Sequence, residues 1–303
     1  MDTPSLRNVC SAGKQALVCF LLSVSIFSAS FFSGSTLGFS SELWALKYWG
    51  PALYFCLFNF ILRYSFKGFL YEVSVRSTFL GTIFATGLHL ATFDNGWRVL
   101  GRYLMVFSGF HFSEFMTVAL TNPRTLSVDS FILNHSVQYW VAAVASWVEF
   151  GLEYYFFPNM KMYFWLSNVG VCLCVVGEIL RKLAMFTATT NFNHMVQYKK
   201  QPDHQLVTHG VYSFFRHPSY VGWFYWSVGT QLVTLNPVCM VFYGVVSWVF
   251  FRERVFAEET TLLAFFGNQY RDYQQKVRTG LPFIQGNVAE NTTQGLKREH
   301  WSY

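Results

Sequence analysis

From His217 to Phe251 the chain runs for 35 residues without a single Asp, Glu, Lys or Arg. As one helix that run would be about 52 Å long at ~1.5 Å per residue, well beyond the ~30 Å of hydrocarbon in a bilayer. Asn236-Pro237 lies near its middle, and proline disfavours helix at the residue before it. The run therefore reads as a tight hairpin of two apolar helices. Few soluble folds accept such an element, since nothing on it keeps a surface wet.

The rest of the chain agrees. Charge-free runs recur at Gln15 to Ser41, Tyr48 to Leu62, Ser77 to Phe93, Ser130 to Val148 and Met162 to Gly177. A further apolar segment, Leu100 to Leu120, carries Arg102, His111 and Glu114. Charged residues make up 13% of the 303 positions, against about 25% in soluble domains, and the aromatic fifth excludes a disordered chain. The expected fold class is all-α: a polytopic membrane helix bundle with about eight transmembrane helices. With eight crossings and a cytosolic N-terminus, 18 of the 22 Lys and Arg fall on the cytosolic side. That bias fits an even number of spans, with both termini cytosolic. The net charge of +6 is then a topology signal rather than a nucleic-acid footprint, which would need a basic stripe on a soluble face.

Polar residues divide the chain. Residues 1–125 read as about four N-terminal transmembrane helices with short links. Residues 126–285 read as a catalytic core with about four more, holding a long connector (187–216) and a post-helix segment (252–285). Residues 286–303 read as a polar tail. The connector carries His194, Gln197, His204, Gln205, His209, Tyr212 and Arg216. Connections this long are usually functional or disordered, and Val207, Val211, Tyr212, Phe214 and Phe215 argue for order. Four histidines at intervals of 10, 5 and 8 do not project from one helix face, so no metal is expected. Beyond the last apolar run, Arg254 and Glu258 stand four apart on a continuing helix. Spacing alone fits a site at the membrane boundary and a solvated helix end with a weak salt bridge equally well. The same holds for Arg181, three residues after Glu178.

These residues also carry a resemblance. Leu206 to Gly222 (LVTHGVYSFFRHPSYVG), then Gly229, Asn236-Pro237, Glu258-Glu259, Phe265-Phe266-Gly267, Tyr270, Tyr273 and Gly280-Leu281-Pro282-Phe283-Ile284, is similar to the isoprenylcysteine carboxyl methyltransferase family. Upstream, Gly177 to Lys182 and Asn191-Phe192-Asn193-His194 fit its eukaryotic members. The resemblance implies a multi-pass enzyme of the endoplasmic reticulum membrane. It would transfer a methyl group from S-adenosyl-L-methionine to the C-terminal carboxylate of prenylated, CaaX-processed proteins such as small GTPases, leaving S-adenosyl-L-homocysteine. Carried over position by position, the cofactor contacts are Gln197, His204, Gln205, Leu206, Val207, Tyr212, His217, Pro218, Ser219, Tyr220 and Glu258. Arg254 meets the substrate, and Arg254, Glu258 and Arg181 form the expected catalytic set. The cofactor pocket would face the cytosol, built by the C-terminal helices and connectors. Alternatives from other classes are an NADPH-dependent membrane sterol reductase, a phospholipid N-methyltransferase on a related scaffold, and a non-enzymatic membrane scaffold or channel.

Overall fold

The computed structural model describes residues 6–36, 44–133 and 137–287; most of the polar tail lies outside them. Among the described residues the regular structure is helical, with one isolated bridge between Phe215 and Arg278. The long helices are α1 (Leu6–Thr36), α2 (Trp44–Ser65), α3 (Gly68–Ala91), α4 (Trp97–Thr121), α5 (Val137–Phe156), α6 (Phe164–Ala188), α7 (Pro218–Thr234) and α8 (Pro237–Phe266). A short α9 (Asn268–Lys276) follows.

Aliphatic and aromatic side chains are exposed along α2, α5, α6 and α8, among them Phe60, Ile61, Val141, Val176, Val241 and Phe242. A belt of this extent is what lipid, not water, accommodates. Among the described residues, α4 has the length and mean hydropathy (1.3 over its best window) of a membrane-crossing helix. The other helices are rich in Trp, Tyr and Phe, and the first two lower the index although they suit the interface.

The expected hairpin is present. α7 ends at Thr234 and is capped by Leu235, which takes a left-handed conformation (φ 58), and α8 begins at Pro237. At 30 residues, α8 would be about 45 Å long, so about its last ten residues exceed the ~30 Å of hydrocarbon in a bilayer. The interior is shared between the two sequence halves. One buried cluster joins α1, α3 and α4 through Ala12, Ala16, Val73, Leu80 and Phe115, with Phe131 and Met185. A second joins α4 to α6 and α7 through Tyr103, Phe110, Cys174, Trp226 and Val233. Among the described residues, α6 packs closely on α7. A Cβ on Gly177 would lie 2.5 Å from the Gly222 carbonyl oxygen, and one on Gly222 2.4 Å from that of Gly177. Only glycine fits at either place, as at other small-residue helix contacts in membranes.

Two boundaries differ from the charge-free runs. α5 was expected from Ser130; a 3-10 turn (Val128–Phe131) and left-handed Ile132 stop the chain there, and the helix instead extends past Glu149 and Glu153. α6 was expected to end near Gly177 but continues to Ala188 through Glu178, Arg181 and Lys182. In both cases the charges are internally paired: Glu153 with Lys161, and Arg181 and Lys182 with Glu114. Paired charges cost far less to bury than lone ones, so they do not end a span.

Candidate functional site

The site is organised by two adjacent carboxylates on α8 that point different ways. Glu259 is fully buried and collects the C-terminal segment. Arg216 Nε (2.8 Å), His217 Nε2 (3.1 Å), Tyr270 OH (3.1 Å), Gln274 Nε2 (3.0 Å) and the Asn287 backbone N–H (2.7 Å) all reach it. Burial alone would raise its carboxyl. The hydrogen bond and charge of His217, then those of Arg216, outweigh that and hold it at about 2. Arg216 extends the latch to the carbonyls of Gln274 (3.2 Å), Val277 (2.5 Å) and Gln285 (2.7 Å). Its own N–H is held by Arg278 O at 2.8 Å, and that of His217 by Thr279 O at 3.2 Å. This strap closes the C-terminal segment over the start of α7, where Pro218 occupies the first turn and needs no amide partner.

Glu258 faces the other way, into two adjoining cavities whose walls share Asn191, Asn193, Gln205, Tyr220, Glu258 and Leu262. All eleven expected cofactor positions line them. Leu206, Val207, Tyr212, His217, Pro218 and Ser219 lie in the first, Gln197 and His204 in the second, and Gln205, Tyr220 and Glu258 in both. The connector is ordered onto this wall by the Gln205 N–H donating to Asn191 Oδ1 at 2.8 Å. Burial, then the negative charge of Glu258, push the Tyr212 phenol up, so it keeps its proton. The walls also contain Asn191, Asn193, Leu262, Tyr270 and Tyr273. The Asn-Phe-Asn-His segment and the two tyrosines belong to the motif quoted above, yet no spacing rule assigned them to the cavity.

Arg254 stands one side chain behind the wall. Its Nε donates to Tyr220 OH at 3.0 Å, and Tyr220 OH donates to Glu258 Oε2 at 2.5 Å. The arginine and the glutamate thus communicate through a tyrosine hydroxyl; no direct ion pair joins them, as a helix-surface salt bridge would require. Arg254 also donates to the His194 carbonyl, which ties α8 to the connector.

Arg181, expected in the catalytic set with Arg254 and Glu258, is buried and, like Arg254, lies outside both cavity walls. Its guanidinium is 2% exposed and makes a two-point bond to Glu114 (Nε 2.6 Å, Nη2 2.8 Å), a bond to Ser219 Oγ (2.6 Å) and a cation–π contact with Trp223. Lys182 also donates to Glu114, and His194 Nε2 lies 3.7 Å from it. Burial, with Arg181, Lys182 and Arg254 nearby, overcomes the pull of Glu114 and lowers His194 to about 4, leaving its ring neutral. Glu114, fully buried on α4, is the residue sequence reasoning passed over. Its signal was present, an ionisable group inside an apolar span. The clustered histidines disperse: His194 beside Glu114, His204 against Phe265, and His217, at the start of α7, between Glu258 and Glu259.

Residues 170–264, the stretch holding α7, the connector and most of α8, match the model of the isoprenylcysteine carboxyl methyltransferase family. The chain is 52% identical over 228 residues to a protein-S-isoprenylcysteine O-methyltransferase of Tribolium castaneum, covering 75% of this chain and 81% of the relative. It is 47% identical over 279 residues to the Xenopus laevis protein of that name, covering 90% and 95%. The solved structure of a eukaryotic intramembrane Ras methyltransferase, isoprenylcysteine carboxyl methyltransferase, superposes with a TM-score of 0.87 at 46% identity, covering 91% of this chain and 98% of that one. Identity at this level over nearly the full length, on the same all-helical membrane-embedded fold, establishes that the chain belongs to the isoprenylcysteine carboxyl methyltransferase family.

Proposed function

We propose that this chain is a protein-S-isoprenylcysteine O-methyltransferase. It transfers a methyl group from S-adenosyl-L-methionine to the C-terminal α-carboxylate of prenylated, CaaX-processed proteins, small GTPases among them, at the cytosolic face of the endoplasmic reticulum membrane. The observation that carries the cofactor assignment is the charge of the cavity. Its available charge is the carboxylate of Glu258; the one arginine in its walls, Arg216, has Nε, Nη1 and Nη2 committed to Glu259 and backbone carbonyls. An anionic wall suits the ammonium and sulfonium of S-adenosyl-L-methionine. It disfavours NADPH, whose phosphates need free cations.

When bound, the cofactor supplies an electrophilic methyl group on sulfur. Glu258 would hold its ammonium or ribose hydroxyls, Tyr212, Tyr270 and Tyr273 offer aromatic faces, and Leu206, Val207 and Leu262 exclude water. A carboxylate with a reference pKa of ~3.5 is already deprotonated at neutral pH, so the chain needs no general base. Its task is alignment and desolvation of a weak nucleophile. Arg254 has the planar fork to orient a carboxylate. Its Nε is held by the Tyr220 hydroxyl, which fixes where the fork stands. A site where α8 leaves the hydrocarbon lets a prenyl chain stay in lipid, avoiding ~0.8 kcal/mol for each methylene withdrawn.

Incubating the purified chain in vesicles with labelled S-adenosyl-L-methionine and a farnesylcysteine analogue tests the reading. A base-labile methyl ester on the prenylcysteine is the expected product. Methylated phosphatidylethanolamine without that ester would instead identify a phospholipid methyltransferase.

A further inference from the structure

Besides closing over α7, the C-terminal strap runs back along α8. The Asn287 N–H donates to Glu259 Oε2 at 2.7 Å, while the Pro282 carbonyl accepts from Trp248 Nε1, also at 2.7 Å. Those two partners are eleven residues apart on α8, about 16 Å at ~1.5 Å per residue. Trp248 in turn stands eleven residues from Pro237, again about 16 Å, well inside the ~30 Å of hydrocarbon counted from the α7–α8 turn. Around it in sequence, Val245, Val246 and Val249 are exposed and continue the lipid-facing belt of α8.

The turn from Gly280 to Ile284 suits that depth. Leu281 and Ile284 are buried against Val221, Phe251 and Val255, and Gly280 (φ 95) comes so close to Phe215 and Val221 that a Cβ there would stand 2.7 Å from each. Pro282 brings no N–H, and carbonyls around it are taken: Thr279 by the His217 N–H, Leu281 by the Ile284 N–H, Pro282 by Trp248, Ile284 by Thr279 Oγ1. Irregular backbone is tolerated at membrane depth where the protein itself satisfies it. Between the buried Leu281 and Ile284, Phe283 is 96% exposed and left-handed (φ 59), a conformation that a bulky residue rarely takes. The turn thus holds an aromatic ring outward beside lipid-facing valines. We propose that it is a membrane anchor: the Phe283 ring inserts among acyl chains of the leaflet on the side of the two cavities, and this contact holds the C-terminal strap against α7 and α8. The exposed Arg252, its guanidinium 5.3 Å from the Trp248 ring, suits the phosphate layer above those chains. Neither the cofactor nor the prenylcysteine enters this role, so it stands apart from the methyltransferase reading.

The test replaces Phe283 with the photoreactive analogue p-benzoylphenylalanine in the full chain, reconstituted into phosphatidylcholine vesicles. Irradiation should leave a phospholipid adduct on the peptide containing 278–287, whereas the same analogue at the exposed Asp272 of α9 should leave none. Hydrogen exchange in the same vesicles reads the holding role. Phe283→Ser, which removes an exposed side chain, should speed exchange of the Ile284 and Asn287 amides at least about tenfold, the factor expected when a phenyl ring loses an apolar partner. Phe283→Leu should restore most of the protection. Absence of a lipid adduct at position 283, an equal yield at 272, an adduct to a second copy of the chain in place of lipid, or exchange in Phe283→Ser matching that of the parent chain would each overturn the proposal.

Discussion

At the turn between α7 and α8, the Lys161 ammonium is fully buried among four acceptors: Glu153 Oε2 (2.6 Å), Thr234 O (2.9 Å), Leu235 O (3.0 Å) and Asn236 Oδ1 (2.9 Å). Beside it, Glu149 accepts the first free amides of α8, from Val238 (2.7 Å) and Cys239 (2.6 Å). At the opposite end of the same two helices, Glu258 and Arg254 touch through Tyr220 and Glu258 opens onto a cavity. Both ends set a lysine or arginine among glutamates. At the turn the Lys161 ammonium and both oxygens of Glu149 are taken up by partners, whereas the other end leaves a carboxylate facing a cavity. Saturation separates structure from site here, and residue type does not.

Breaking the saturated end should cost the most in stability. Lys161→Met strands Glu153 and two helix-terminal carbonyls, and removing one partner of a buried pair typically costs ~3–5 kcal/mol. Thermal unfolding in detergent should show the loss, with cofactor affinity of the folded fraction unchanged; a weakened affinity would mean that the two ends are coupled.

At the open end the expected losses are functional. Arg254→Ala should lower turnover of farnesylcysteine on the order of 100-fold, in the range seen for removing a positioned electrostatic donor, with S-adenosyl-L-methionine binding by calorimetry within about threefold. Glu258→Ala should do the converse, weakening cofactor binding roughly 10- to 100-fold as a charge-assisted hydrogen bond is lost. Normal values for both variants would return these residues to an ordinary solvated helix end.

Glu114 lies between the two cases, saturated yet adjacent to the site through Arg181 and His194. Glu114→Gln keeps the shape and removes the charge. The expected outcome is a several-fold fall in kcat with KM for cofactor little altered, because the change reaches Arg254 only through the His194 carbonyl. A fall confined to stability would make the cluster a structural pairing alone.

The smallest effect is in pH. His194 is held at about 4, below its unfolded value of 6.5, so the unfolded chain takes up a proton first. Its contribution is complete above pH 6.5 and is lost as pH falls from there toward 4. The stability of His194→Asn should therefore decline less over that window than that of the parent chain, and parallel curves would show that the ring takes up its proton alike in the folded and unfolded chain.

How far the sequence was legible depended on whether a residue's chemistry was visible locally. The Asn236-Pro237 break was, because proline acts on its immediate neighbour, and left-handed Leu235 completes it. The cavity residues became legible through a dense motif whose members then converge from the connector, α7 and α8. The ends of α5 and α6 were misjudged because a charge was taken as the end of a span, when Glu153, Arg181 and Lys182 are neutralised by partners 8, 67 and 68 positions away. Nor could spacing separate Glu258 from Glu259: neighbours on a helix differ by about 100° in direction, and which direction held a cavity was not written nearby.

The amino-acid order alone determined the solvent and the scale of the fold. Apolar runs of membrane length, basic residues biased to one side and one proline-marked hairpin follow from transfer energies and backbone geometry that act within a few turns. Which charges are spent and which are available was decided only in three dimensions. Arg181 was assigned to Glu114, Arg216 to Glu259 and Lys161 to a helix terminus because a buried charge takes whatever counter-charge or carbonyl the packing brings within reach. What that pairing left over, the Glu258 carboxylate in its cavity and the Arg254 fork behind Tyr220, is the part of the molecule that remains available for chemistry.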